Sequence, residues 1–187
     1  MKNLIMALAI FCATTVYVNA QDINFGLKAG INLASLNGDD VEDLDMVTGV
    51  HLGAVAEFGL TEKFSIQPEV IYSTQGASYD KETLKLDYIN VPVLAKYYAF
   101  EGFSIEAGPQ LGFNINSEYE YDGETEDVEE VKTIDLAAAL GVGYKLPMGV
   151  FFQARYNLGL SDAFEEVEGI KIDAKNNVFQ FSVGYMF

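Results

Sequence analysis

From residue 103 to residue 116 the chain reads FSIEAGPQLGFNIN. Phe, Ile, Ala, Pro, Leu and Phe fall on one beat, and Ser, Glu, Gly, Gln, Gly and Asn on the other. Side chains of a β-strand point alternately to its two faces, so this pattern describes a strand with one apolar and one polar side. Such strands build either a soluble sandwich with the apolar face inside or a membrane barrel with the apolar face toward lipid. The alternation recurs eight times, over residues 23–33, 49–58, 64–73, 89–97, 103–116, 134–145, 150–160 and 179–187. In the fourth run Leu84 and Leu86 fall on the polar beat, which predicts a bulge before Tyr88.

Each run is long enough for a tilted strand to cross an apolar layer of ~25–30 Å. The connections alternate in length: residues 60–63, 98–102 and 146–149 are short, whereas 34–48, 74–87, 117–132 and 161–176 are long. Short turns at one end and long loops at the other point to an all-β, eight-stranded, antiparallel up-and-down transmembrane barrel, with short periplasmic turns and four longer acidic extracellular loops.

Charge separates along the same lines. The chain holds 28 Asp and Glu against 11 Lys and Arg, a formal net charge of −17, and 21 of the acids lie in the four long connections. That balance excludes nucleic acid as a partner. On the polar beat of the strands the signs nearly cancel: Glu57, Glu69, Glu106 and Asp135 face Lys28, Lys96, Lys145 and Arg155. A water-facing surface has no need of such cancellation, but a closed interior does, because an unpaired buried charge is costly. These eight residues, with His51 on the same beat, are expected to form a polar network inside the barrel. An eight-stranded barrel is filled by its own side chains, so no pore is expected. The competing soluble reading, a periplasmic binding barrel with a ligand cavity, needs the apolar beat inside.

Residues 1–20 read as a cleaved secretory leader: Lys2, an apolar run from Leu4, and the exit Val18-Asn19-Ala20 before Gln21. Residues 21–187 then form one domain, exported and inserted into the outer membrane. The single cysteine, Cys12, lies in the leader, and Phe11 before it argues against lipidation. The mature chain therefore has no disulfide or thiolate metal site. Aromatic side chains gather near both predicted rims: Tyr97, Tyr98, Phe100, Phe103, Phe152, Tyr185 and Phe187 by the turns, and Tyr72, Tyr88, Phe113, Tyr119, Tyr121 and Phe179 by the loops. Pro68, Pro92 and Pro109 fall inside runs, where each removes a ladder donor, and are expected at bulges or near a rim.

The blocks FGLKAGINLASL, IQPEVIYSTQGA, YINVPVLAKYY, EAGPQLGF and FQARYNLGLSD resemble the PorT-type outer-membrane β-barrel family of Bacteroidetes over nearly the whole mature chain. The resemblance implies an eight-stranded barrel in the outer membrane, and its name-giving member is tied to protein secretion. The ending on Phe187, with Tyr185 and Val183 on the same face, resembles the C-terminal signal read by the barrel-insertion machinery of Gram-negative bacteria.

The leading functional expectation is a structural or adhesive barrel whose acidic loops meet a surface partner, or lipopolysaccharide through divalent cations. The stretch NGDDVEDLD, residues 37–45, offers oxygens for a weak Ca²⁺ site without EF-hand spacing. SEYEYDGETEDVEE, residues 117–130, lacks an apolar anchor and reads as a solvated loop. The alternatives are an accessory factor in protein secretion and a small outer-membrane enzyme. His51 is the enzyme's only imidazole, near the outer mouth where Asp45 or Ser35 approaches it. No catalytic set, cofactor or metal centre is expected.

Overall fold

The structure is a computed structural model that describes residues 23–38, 41, 44–79, 82–121, 124–128, 131–164 and 173–187. The proposed leader and Asp39, Asp40, Glu42 and Asp43 of the candidate Ca²⁺ stretch lie outside the described residues. The described strands are β1 (Ile23–Asn37), β2 (Asp45–Gly59), β3 (Phe64–Tyr79), β4 (Glu82–Phe100), β5 (Phe103–Tyr121), β6 (Glu124–Asp127), β7 (Ile134–Lys145), β8 (Val150–Gly159) and β9 (Lys175–Met186).

Every neighbouring pair is antiparallel, in the order β4-β3-β2-β1-β9-β8-β7-β5-β6, and a further β4–β5 pairing joins the two sides. Eight strands thus close a ring, while the four-residue β6 pairs with the outer end of β5. Closure removes the unpaired edges that a membrane does not tolerate.

The alternation is expressed as expected for a barrel. Phe25, Leu52, Val70, Ile105, Leu140, Phe152 and Phe181 face outward and are exposed, whereas Lys28, Glu57, Glu69, Glu106 and Arg155 are at most 4% exposed. This inverts the arrangement of a soluble protein and overturns the cavity-barrel alternative. At the turn end, Thr61 Oγ1 accepts the amide N–H groups of Lys63 and Phe64 at 3.2 and 3.0 Å. Gly102 and Gly149, at φ of +76° and +94°, complete the other two turns in a region that residues with a Cβ rarely adopt.

Three sequence expectations about the wall need correction. The irregularity near Tyr88 exists, but the extra residue sits on β5: Asp87 pairs with Asn116 and Tyr88 with Asn114, leaving Ile115 unpaired. β4 keeps its parity, so Leu84 and Leu86 do face inward. The prolines are neither at bulges nor at a rim. Pro68, Pro92 and Pro109 lie opposite Ala56, Glu69 and Val93 in two-residue gaps of the β2–β3, β3–β4 and β4–β5 ladders, and the register is the same on both sides of each gap. The missing N–H opens the ladder locally without displacing it. Finally, much of the predicted long connections is strand. β3, β4 and β5 run outward past the apolar belt, whose last outward residues are Tyr72, Ile89 and Ile115, and the SEYEYDGETEDVEE stretch contributes the end of β5 and all of β6.

Candidate functional site

The inward beat carries two stacked polar regions, and the lower one is ionic. Arg155 on β8 donates from Nη1 and Nη2 to the two oxygens of Glu69 on β3, at 2.9 and 2.8 Å. Lys28 on β1 lies 2.8 Å from the same carboxylate. Glu106 on β5 accepts both contacts of the Gln153 amide, at 3.1 and 2.9 Å, with Lys96 at 3.3 Å and Arg155 at 3.5 Å. Lys96 on β4 also donates to Gln67 at 2.9 Å, and Gln67 donates to Glu69 at 2.6 Å. Glu57 on β2 takes Ser65 at 2.8 Å and the Tyr98 hydroxyl, with Lys96 and Lys145 at 3.5 and 3.7 Å. Seven of the eight ring strands therefore share one lattice, and the bidentate Arg155–Glu69 contact supplies its fixed geometry. Val55, Phe151 and Met186 pack beside it as a small apolar cluster inside the lumen.

The upper region is neutral. Asn32 donates to Ser73 Oγ and the Thr74 carbonyl, both at 2.9 Å, which turns its own oxygen toward His51 Nδ1 at 2.8 Å and Gln180 Nε2 at 3.1 Å. With Nδ1 donating to that oxygen, His51 Nε2 is left to accept the Ser182 hydroxyl at 2.7 Å. Ser182, His51 and Asn32 thus stand in the order of nucleophile, base and orienting group. All three are buried in the lumen.

Above this region the outward extensions fold over the mouth. Leu36, Ala77 and Ala163 form one apolar cluster with Val41, Leu44, Leu84 and Phe164 around it. Leu86, Tyr88 and Val131 form a second, which also takes in Leu84, Phe164 and Val128. Leu84 and Phe164 join the two clusters, so the mouth carries a continuous apolar cap. Backbone contacts fix it: Val131 bridges Phe164, Lys132 N–H reaches the Ala163 carbonyl at 2.8 Å, and Val128 N–H reaches that of Ser117 at 3.0 Å. Among the described residues Asp162 is buried beside Ala163, whereas Glu124, Glu126 and Asp127 are exposed and Glu120 is paired with Lys85 at 2.5 Å. That carboxylate holds Lys85 above the usual ammonium range.

The family model described as "Outer membrane protein beta-barrel domain" matches residues 19–165. The chain belongs to that family. Among solved structures, the fold is similar to Neisserial surface protein A (TM-score 0.63, 15% identity) and to Ail, the attachment invasion locus protein of Yersinia pestis (TM-score 0.56, 14% identity). Each alignment covers 89% of this chain and 100% of the other, and at such identity it shows the fold alone. No curated protein matches by sequence. The protein is an outer-membrane β-barrel.

Within this family member, the structure gathers eight of the nine inward residues singled out in the sequence into the two polar regions. Lys28, Glu57, Glu69, Lys96, Glu106, Lys145 and Arg155 join the lattice, and His51 lies above it. Asp135 departs from expectation. It accepts the Ser161 hydroxyl at 2.5 Å, and no ion pair joins it among the described residues. His51 meets neither Asp45 nor Ser35: Asp45 is exposed at the start of β2, and Ser35 donates to the Leu36 carbonyl at 3.4 Å.

Two members of the predicted aromatic girdles also turn inward. Tyr88 is buried under the cap and Tyr98 donates to Glu57, while Phe64–Tyr97, Phe100–Phe103 and Tyr185–Phe187 do form ring pairs on the outside. The stretch read as lacking an apolar anchor has one in Val128.

Proposed function

We propose that the protein is a non-conducting membrane anchor that displays an acidic cap for a cationic partner at the cell surface. In this reading it is not an enzyme. The observation that carries it is the cap itself: loops with their own apolar core and the exposed acids Glu124, Glu126 and Asp127, above a lumen crossed by a salt-bridge lattice. A rigid, water-exposed acidic surface attracts basic protein segments over a Debye length and binds lipopolysaccharide phosphates only through bridging divalent cations. Ail, one of the structural neighbours, has been crystallised with the heparin analogue sucrose octasulfate. A polyanion is the wrong sign for this chain, whose net charge is −17.

Attachment of bacteria displaying the protein tests this reading, by comparison with a variant in which Glu118, Glu120, Glu124 and Glu126 are Gln. A several-fold drop in attachment to immobilised lysine-rich protein is expected, and equal attachment overturns the reading. Loss with EDTA in place of loss with added salt reassigns the partner to lipopolysaccharide.

One observation favours a second reading, an enzyme: the Ser182–His51–Asn32 order at 2.7 and 2.8 Å. Covalent labelling by a fluorophosphonate that disappears in Ser182→Ala supports it, and absence of label in the wild type removes it.

A further inference from the structure

The neutral region contains an unusual concentration of unmatched polar atoms. Asn90 Nδ2, Gln110 Oε1, both Asn157 side-chain heteroatoms, Asn176 Oδ1 and Gln180 Oε1 are buried with no protein partner, and so is Arg155 Nε at the top of the lattice. All six side chains are at most 5% exposed. They project from β4, β5, β8 and β9. β7, which lies between β5 and β8, adds the buried methyls of Ala137 and Ala139 and, toward the cap, the Asp135 carboxylate near Asn90 and Tyr88. The wall is therefore polar on both sides of a stretch lined by small side chains.

Buried polar groups in folded proteins are nearly always matched, by protein or by water. The chemistry of this set selects between possible occupants. A metal cation would satisfy the oxygens of Gln110, Asn157, Asn176 and Gln180 but would be repelled by the N–H donors of Asn90, Asn157 and Arg155. An anion would have the opposite fault. Water both donates and accepts, and it needs only a small polar space with two to four partners.

We propose that the layer between the ion lattice and the cap holds ordered water, and that this water exchanges with the cell exterior through the cap and not with the periplasm through the lattice. Below the layer, Lys28, Glu69, Glu106, Gln153 and Arg155 contact one another directly and close the lumen. Above it, the closure is a side-chain contact of Leu86 and Tyr88 on β4 with Val131, whose own backbone bridge is to Phe164, so the two sides of the closure are joined by apolar packing and not by a strand pair with each other.

The test is solution NMR of the protein in lipid nanodiscs. Cross-relaxation with water is expected at the side-chain amides of Asn157 and Gln110, and exchange of those amide hydrogens is expected to rise about tenfold when the cap is loosened by Leu86→Ser, or by Val131→Ser should the first not fold. Gln153→Ala, which loosens the lattice, is expected to leave exchange unchanged. Absence of water contacts at Asn157 overturns the hydrated layer. Acceleration by Gln153→Ala, alone or together with the cap variants, overturns the one-sided route. As an independent reading, Asn157→Leu is expected to lower the midpoint of thermal unfolding, because ordered water loses a partner. A raised midpoint means the layer is dry.

Discussion

The lower and upper halves of the lumen are lined by the same beat of the same strands, yet they solve the burial of polar groups in different ways. Below, Glu57, Glu69 and Glu106 are matched to Lys28, Lys96, Lys145 and Arg155 through direct contacts. Above, neutral amides and hydroxyls from Asn32, His51, Gln180 and Ser182 interlock, several polar atoms stay unmatched, and an apolar cap follows. The centre of the lattice, around Glu69, Lys28 and Arg155, is sealed from solvent, so its ions must neutralise one another, while Lys145 at the turn end stays partly exposed. Neutral groups tolerate incomplete matching better, and they lie nearer the water-exposed end. The contrast teaches that alternation decides which way a side chain faces, while depth in the membrane decides what chemistry it must meet there.

The largest expected effect breaks the lower half. Glu69→Ala leaves Arg155 and Lys28 buried around a missing carboxylate and should cost about 3–5 kcal/mol, measured by urea unfolding of the detergent-solubilised barrel. Asp135→Ala removes a buried carboxylate that meets the Ser161 hydroxyl and the Leu136 backbone but no ion-pair partner among the described residues. A cost of about 1–2 kcal/mol is expected there, and an equal loss for both variants would erase the distinction between the halves.

Next in size is the cap. Leu86→Ala should destabilise it by about 2–4 kcal/mol, read as faster proteolysis at the outer end. The barrel's heat-dependent gel mobility should remain, because the pairings of Leu86 with Gln75 and Ser117 are made by its backbone and the ion lattice does not involve its side chain. His51→Ala removes two buried hydrogen bonds and should lower stability by about 1–3 kcal/mol, while attachment to a cationic partner stays unchanged. The smallest effect belongs to the exposed Lys85–Glu120 pair. Glu120→Gln should shift stability by less than about 0.5 kcal/mol, and added salt should reduce even that.

Much of this was legible in the sequence because a period of two is a local property. The eight runs, the outward Phe103, Ile105, Leu111 and Phe113, and the inward ions all follow from it. What the period could not convey is height and partnership. Asp135 was grouped with the bases because it shares their beat, but the pairings place it opposite Gly112, near the cap. Leu84 and Leu86 looked misphased because the inward face was assumed to be polar throughout, whereas above the membrane it becomes the core of the cap. Val55, Ile71, Leu94, Phe151, Val178 and Met186 were missed for the same reason: each is apolar, inward and buried. Ser182 and Asn32 became the partners of His51 through the β1–β2 and β1–β9 registers, which bring together residues far apart in the chain.

The ring closes where β1 meets β9, with Asn32 facing Gln180 across 148 positions of sequence. Until that last strand arrives, β1 presents a row of bare amides and carbonyls along its whole length, and half the contacts of His51 are absent. Assembly of this wall is thus a one-step affair: no partial chain can be sealed, and whatever escorts the polypeptide to the membrane must shield an open ribbon until the final residues are delivered.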